Sequence, residues 1–482
     1  MRYLPNGKQM SEADAHTIHE IGIPSLVLME RAALQIVETM HKKNISTEKS
    51  LIVCGSGNNG GDGFAVARLL TEQGKHADVL FAGREASFSE ECRCQKQIVE
   101  NMGISVFTEF PDEEYTVIID AVFGVGLCRE ITGHYKDVID WMNLQDAEKV
   151  AVDIPSGICA ATGKILGTAF RADLTVCMAC VKLGCELFPG KSYAGESIPV
   201  AIGINPKYFS NHLDVCYTFD KNDLGKLLPS RMMNSHKGSY GKVLMITGSP
   251  GMAGAAFLSA CAAYTVGAGL VQIYTASENR LALQELLPEA IISCYDSYDD
   301  SQLSHLLDWA DVVCIGCGLG MGQISEKILK NVLKNVSCPC VIDADGLNLL
   351  SRNIELLNQC CAPVILTPHM KEMSRLTGYS VQELKDNRRE LLRKYTEKVH
   401  AVCVLKDSRT LVKAPEGRLM INTTGNAAMA KAGSGDVLAG MITGLMAQHM
   451  RPDDAAVLGV YLHGLCGDHA RKELGSYSVL AE

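Results

Sequence analysis

Two α/β domains, each built on a mostly parallel sheet, are what the sequence predicts, with residues 1–215 forming the first and 225–482 the second. Three observations predict it. The chain has 482 residues, too many for one core when domains run to about 100–200 residues each. Apolar runs that read as strands alternate with amphipathic helices through both halves. Between residues 205 and 240 the alternation lapses into a polar segment, ending in Leu228-Pro229-Ser230-Arg231 and Ser235-His236-Lys237-Gly238, which marks the junction.

In the first half the strands are expected at 51–54, 77–81, 117–121, 150–154 and 174–178, with helices at 64–73, 95–101 and 135–141 between them. Strand and helix at this spacing imply helices on both faces of the sheet, a three-layer arrangement whose ligands bind beyond the carboxyl ends of the strands. The second series begins at 242–247 and continues through 271–274, 312–315, 341–343, 364–366 and 402–405. There is no internal repeat, so the two units are different α/β domains and not a duplication.

Composition excludes several classes of function. Apolar residues make up 47% and charged residues 21%, a globular balance and not a disordered one. The formal net charge is −10 with no Lys/Arg-rich run, which leaves nothing to neutralise a nucleic-acid backbone. Residues 1–20 carry Lys8, Glu12, Asp14 and His16 among few apolar side chains, neither a secretory leader nor a transit peptide, and are expected to form a helix of a cytoplasmic protein. No charged residue occurs from 243 to 277, longer than the roughly 20 residues a membrane span needs. Gly248, Pro250, Gly251, Gly254, Gly267 and Gly269 interrupt that run and its middle is Ala, Ser and Cys, so a buried strand, helix and strand are expected there and no membrane partner.

The 19 cysteines are expected to be reduced and mostly buried. Cys177 and Cys180 have C-x-x-C spacing, but their segment reads as a strand, where side chains three apart point to opposite faces and cannot share a metal. Cys314 and Cys317 lie far along the chain, and the pairs at Cys92, Cys338 and Cys360 lack zinc-ribbon spacing.

The first strand runs into Gly55-Ser56-Gly57-Asn58-Asn59-Gly60-Gly61-Asp62-Gly63, formally the G-x-G-x-x-G fingerprint of a Rossmann-like domain. A dehydrogenase reading has a physical objection: Asp62 would sit at the helix N-terminus where a pyrophosphate belongs, placing two anions in one site. The loop reads better as a set of amides and a carboxylate. Asp120 ends the run 117–120 and Asp153 the run 150–153, so with Asp62 three carboxylates at three strand ends are expected to share one cleft. Asn59, Asp120 and Ser156 offer hard oxygens with too little charge for a calcium cage, which suits a monovalent cation.

These segments, together with Asp120-Ala121-Val122-Phe123-Gly124-Val125-Gly126-Leu127 and Val152-Asp153-Ile154-Pro155-Ser156-Gly157, closely resemble the NAD(P)H-hydrate epimerase family. The resemblance implies that Asn58, Asn59, Gly60, Gly61, Asp62, then Gly124, Val125, Gly126, Leu127, Cys128, Arg129 and Glu130, and Asp153 bind the hydrated nucleotide, with Tyr135 a further contact. It implies potassium on Asn59, Asp120 and Ser156, and Asp153 as the acid/base that interconverts the two C6 epimers of the hydrated nicotinamide ring, by C6–O cleavage or by ring opening.

In the second half, glycine-rich segments follow three strands: Gly248-Ser249-Pro250-Gly251-Met252-Ala253-Gly254, Gly316-Cys317-Gly318-Leu319-Gly320 and Ala432-Gly433-Ser434-Gly435-Asp436. None is a Walker A loop. In the last, backbone N–H groups of residues 433–435 can converge at a helix start beside Asp436, a geometry that holds a transferring phosphoryl group while a carboxylate takes a hydroxyl proton. With Asn422-Thr423-Thr424-Gly425-Asn426, Asp343-Ala344-Asp345-Gly346-Leu347-Asn348 and Leu366-Thr367-Pro368-His369, this half resembles the ADP/ATP-dependent NAD(P)H-hydrate dehydratases, which are ribokinase-like. The resemblance implies that Ala253, Gly318, His369 and Asp436 contact the hydrated nucleotide. It further implies that Lys406, Asp407, Ser408, Arg409, Thr410 and Gly435 contact ADP or ATP, with Mg2+, and that Asp436 is the catalytic base. Asp407 departs from the family's usual glycine at that position, which puts the phosphate contacts of the loop in question.

The expected whole is a bifunctional epimerase and dehydratase forming a homo-oligomer, its ligands small molecules. The competing reading is a ribokinase-like small-molecule kinase fused to a nucleotide-binding sensor domain. A final helix is expected to begin near Gly475-Ser476-Tyr477-Ser478.

Overall fold

The computed structural model describes residues 1–482. The chain divides into two compact units, Arg2–Cys216 and Tyr217–Glu482, the latter including Met1.

The first unit holds seven parallel strands in the order Val106–Phe107, His76–Phe81, Lys49–Cys54, Val117–Ala121, Glu148–Val152, Leu174–Met178 and Glu196–Val200. The central strands are buried along nearly their whole length, as sheets covered on both faces require. Successive side chains on Lys49–Cys54 serve opposite cores. Ile52 and Cys54 pack with Ala33, Ile36 and Met40 of helix Ser25–Lys42 and Phe64, Ala67 and Leu70 of helix Asn58–Glu72. Leu51 and Val53 pack with Val138, Ile139 and Met142 of helix His134–Leu144. Each fully buried aliphatic side chain contributes about 1.5–3 kcal/mol. Helix Asn58–Glu72 starts six residues before the first residue expected from its apolar pattern, because its opening turn is the glycine-rich loop itself.

The second unit's sheet runs Cys216–Thr218, Met420–Ile421, Leu411–Lys413, Val402–Leu405, Val364–Leu366, Cys340–Ile342, Val312–Ile315, Lys242–Ile246, Leu270–Ala276 and Ile291–Tyr295. Only Leu411–Lys413 runs against its neighbours. The charge-free stretch forms strand Lys242–Ile246, helix Ala253–Thr265 and strand Leu270–Ala276, and no helix of the chain is long and apolar enough to cross a membrane. The small side chains of Ala253–Thr265 allow close approach of helix Ser434–Ala447: a Cβ on Gly440 would lie 2.1 Å from the Ser259 carbonyl oxygen. All 19 cysteines are free thiols, ten of them buried. The expected final helix does not form. Helix Pro452–Leu474 stops at Gly475, whose φ of 77° no continuing helix can adopt, and Val479 is buried without secondary structure.

Candidate functional sites

In the first unit the strand order reverses between the parallel neighbours Lys49–Cys54 and Val117–Ala121, the switch point at which such sheets bind ligands. A cavity of about 530 Å³ opens there, lined by Asn58, Asn59, Asp62, Gly124, Val125, Gly126, Leu127, Cys128, Arg129, Tyr135 and Asp153. Tyr135 leans on Phe123, ring centroids 4.8 Å apart. Gly60 and Gly61 do not line it. They lie buried behind the first helical turn, where a Cβ on Gly60 would come 2.0 Å from the Gly55 carbonyl oxygen and one on Gly61 2.5 Å from Met29. Their part is to let the loop pack closely. Glu130 is exposed beyond the cavity rim.

The expectation that Asp62, Asp120 and Asp153 face one cleft needs correction for Asp120. Its carboxylate is fully buried and turned from the cavity because it accepts from the Ser156 amide at 2.7 Å, the Ser156 hydroxyl at 2.6 Å and the Val122 amide at 3.2 Å. Burial pushes this carboxyl up to about 6, against the lowering effect of those donors. Ser156 Oγ in turn accepts from the Phe123 amide at 2.8 Å. The Asn59 side chain packs on Gly124, and its amide nitrogen is buried without a hydrogen-bond partner.

Asp153 lies one residue past strand Glu148–Val152 with φ of 69°, a left-handed conformation unusual for aspartate that turns its side chain toward the cavity. One carboxylate oxygen, Oδ1, accepts from the Met178 amide at 2.8 Å and from Lys182, whose side chain is fully buried. Two further carboxylates share the cavity, Asp62 and Asp14. Burial, then the charge of Asp153, raises both, Asp62 well above the ordinary carboxylate range. Lys182 and Asp14 escaped sequence reasoning. Lys182 had a signal, a lone charge in the apolar run Leu174-Thr175-Val176-Cys177-Met178-Ala179-Cys180-Val181-Lys182-Leu183, since lysine is almost never fully buried unless paired. Asp14 belongs to helix Gly7–His16, whose first residue packs so tightly on the second loop that a Cβ on Gly7 would sit 2.3 Å from the Val125 carbonyl oxygen.

In the second unit the groups gather at the carboxyl ends of the parallel strands. The Ser249 amide donates to the Gly318 carbonyl at 2.6 Å, and a Cβ on Gly318 would meet Met252 at 3.1 Å and Ala255 at 2.8 Å, the residues before and after the Ala253-Gly254 helix start. His369 and Lys406 form a bridge between neighbouring strand ends. The Lys406 ammonium bonds Asp343 at 2.7 Å, and Asp343 also accepts from Thr367 at 2.7 Å. A Cβ on Gly435 would lie 3.4 Å from that ammonium. Gly433, with φ of 93°, turns the chain into helix Ser434–Ala447, so that the first N–H groups and Lys406 form one positive pole next to Asp436. Ligating atoms of Asp436, Asp343 and Cys317 lie within 4.8 Å of one another. Asp436 makes no capping bond. Burial and then Asp343 push its carboxyl up to about 6, while Cys317 and Lys406 oppose the rise. Asp343 and Cys317 are the residues of this centre to which sequence reasoning had given no role.

His369 caps helix Met370–Thr377. Its Nδ1 accepts from the Lys371 and Glu372 amides at 3.1 and 3.2 Å, which leaves the proton on Nε2, and burial and Lys406 lower its pKa, keeping the ring neutral. In the 406–410 loop, Asp407 and Ser408 are exposed, Arg409 is buried and Thr410 donates to the Asp407 carbonyl at 3.2 Å. The Asp407 carboxylate is paired with Arg388 at 3.2 Å, which offsets its charge. An apolar cavity of about 310 Å³ adjoins this helix start but is lined by Met429, Ser434, Val437, His463 and the terminal residues from Val479, not by Asp436.

Comparison with known proteins matches both units. Residues 25–184 fit the family model described as YjeF-related protein N-terminus, and residues 243–482 the one described as NAD(P)H-hydrate dehydratase. The bifunctional NAD(P)H-hydrate repair enzyme Nnr of Moorella thermoacetica is 36% identical over 99% of this chain and 94% of its own length. The enzyme of the same name from Escherichia coli is 34% identical over 96% of this chain and 88% of its own. Among solved structures, the ADP/ATP-dependent NAD(P)H-hydrate dehydratase of Bacillus subtilis, co-crystallised with ATP and Mg2+, is 32% identical with a TM-score of 0.50, covering 56% of this chain and 94% of that one.

Proposed function

The chain belongs to the family of bifunctional NAD(P)H-hydrate repair enzymes, and from that premise we propose that residues 1–215 epimerise hydrated NAD(P)H while residues 225–482 dehydrate one epimer. The observation that carries the chemistry is the meeting of Asp436, Lys406 and the helix start at residues 433–435. Asp436 takes the proton of the C6 hydroxyl as its oxygen attacks the terminal phosphate of ADP or ATP. A new O–P bond forms, and AMP or ADP departs. Hydroxide, a poor leaving group, has become phosphate. Its loss is driven by the ring nitrogen's lone pair, and loss of the C5 proton from the resulting cation restores NAD(P)H. Lys406 and the residue 433–435 amides bind the charge that builds on the transferring group. Mg2+ would come with the nucleotide and neutralise its phosphates, Asp343 being a buried carboxylate at this centre. With Arg388 pairing Asp407, the 406–410 loop keeps a surface an anionic nucleotide can approach.

In the first unit, Asp153 protonates the departing C6 oxygen, and the same carboxylate takes a proton from the water that returns on the other face. Asn58, Asn59, Asp62, Tyr135 and the 124–130 loop hold the nucleotide. Asn59, Asp120 and Ser156 fit potassium through hard oxygens, an amide oxygen, a carboxylate and a hydroxyl, the last two already in contact at 2.6 Å. Bound there, potassium would neutralise Asp120 and tie the Asn59 loop to the segment at Ser156. Free thiols agree with a reducing cytoplasm, and a homo-oligomer is the assembly to test by light scattering.

Incubation with mixed epimers of hydrated NADH, with and without ADP or ATP, tests the assignment. Nucleotide-dependent appearance of NADH with equimolar phosphate is expected. A stable phosphoester product would favour a small-molecule kinase instead.

A further inference from the structure

We propose that Lys182 is a positioning residue for epimerisation, its ammonium fixing one oxygen of Asp153 so that the other faces the C6 substituent. The proposal rests on the assignment of Asp153 as the acid/base. Lys182 has no exposed side-chain surface, yet borders the catalytic cavity. Its ammonium bonds Asp153 Oδ1 and the Met178 carbonyl, the latter at 2.8 Å. The Met178 amide donates to the same Oδ1 at 2.8 Å. Both donors therefore converge on one oxygen, and Oδ2 takes no hydrogen bond from the protein. A carboxylate held by one oxygen with its second lone-pair set directed at the cavity is oriented for proton transfer.

Lys182 also answers an electrostatic problem. Asp14, Asp62 and Asp153 share the cavity, and three carboxylates in so little water cannot all ionise unless a cation is supplied. Facing Lys182 are Asp153, the thiols of Cys177, Cys180 and Cys185, and Asp62 across the cavity. Burial opposes the ammonium, but Asp153 and the thiols outweigh it and raise its pKa. Pinned to Asp153, the ammonium supplies positive charge to a cavity in which burial and Asp153 raise the pKa values of Asp62 and Asp14. A merely structural ion pair would need neither placement at the cavity nor a free second oxygen.

The test compares Lys182→Met, Lys182→Ala and Asp153→Asn in the full-length protein, following epimer exchange by NMR from about pH 5 to 9. Dehydration of the single accepted epimer in the same samples reports on the rest of the chain. For Lys182→Met, kcat is expected to fall ~100-fold or more at neutral pH with KM changed by less than about threefold. Its pH profile should also move upward, because the carboxylates of the cavity lose a buried cation. Added propylammonium should restore part of the Lys182→Ala rate, which supports a role for the charge at that point. A loss that is equal at every pH and not rescued by the amine, or that lies wholly in KM, overturns the proposal. So does a wild-type rate in Lys182→Met while Asp153→Asn is inactive. If Asp153→Asn itself exchanges epimers at the wild-type rate, it is the Asp153 assignment that falls. Should Lys182→Met not fold, Lys182→Gln is read by the same criteria.

Discussion

Replacing Asp436 by asparagine separates a catalytic base from a helix cap, because the two roles predict opposite changes in stability. A carboxyl whose folded pKa lies above its unfolded value holds its proton more tightly folded, so the protein loses stability as pH rises between the two values. For Asp436 these are the ordinary 3.8 and about 6, a displacement worth about 3 kcal/mol at neutral pH. Partial exposure reduces this to about 2 kcal/mol, and the favourable position of an acid in the first helical turn offsets about 0.5–1 kcal/mol more. Asp436→Asn is therefore expected to stabilise the protein by about 1–2 kcal/mol at pH 7, a gain that shrinks to a small fraction at pH 4 and vanishes below about pH 3, where both states are protonated. Dehydration should fall by ~10²–10⁴ with epimerisation unchanged. In the wild type the rate should rise about tenfold between pH 5 and 7 and then level, as the base ionises about pH 6. Urea unfolding at pH 4 and 7, with phosphate release under saturating nucleotide, reads both quantities. A mutant that loses about 1 kcal/mol at both pH values while dehydrating normally would make Asp436 a cap and refute the mechanism.

Ser156→Ala removes a donor to buried Asp120 and the acceptor of the Phe123 amide; a loss of about 2–3 kcal/mol in urea unfolding is expected, with a weaker response of epimerisation to potassium. Arg388→Ala leaves Asp407 uncompensated at the nucleotide loop and should raise the KM for ADP or ATP several-fold, about 1 kcal/mol, and Asp407→Gly in the same chain should restore it. Gly440→Ala drives a methyl into the Ser259 carbonyl, so helix Ser434–Ala447 must shift; a cost of about 1–3 kcal/mol and slower dehydration with normal epimerisation are expected.

Much of the fold was legible because both sheets are buried on two faces. Strands such as Val117–Ala121 and Val402–Leu405 are short, continuous apolar runs between turn signals, which no other element imitates at that length. Helix Ser25–Lys42 escaped for a related reason: its apolar residues spread over a wide face and exposed Leu26, Val27 and Leu34 blur the period. The loops that meet at the first cavity were legible from side chains that strand ends seldom carry, Asn58, Asp62 and Asp153. What escaped depends on distance in space. Lys182 meets Asp153 at a sequence separation of 29, and Lys406 meets Asp343 at one of 63. Asp120 shows the opposite case. Its place at a strand end was evident, but that Ser156 and Val122 would draw its carboxylate away from the cleft followed only from the packed loop.

The claim that one chain divides epimerisation and dehydration between two sites is tested most directly by the progress curve of Asp153→Asn on an epimer mixture of hydrated NADH, with saturating ADP or ATP. The wild type should convert all substrate in two phases. The mutant should run the first phase at the wild-type rate and stop near the fraction present as the accepted epimer, apart from spontaneous exchange measured in an enzyme-free control. Complete conversion by the mutant at the wild-type second-phase rate would contradict that division of labour.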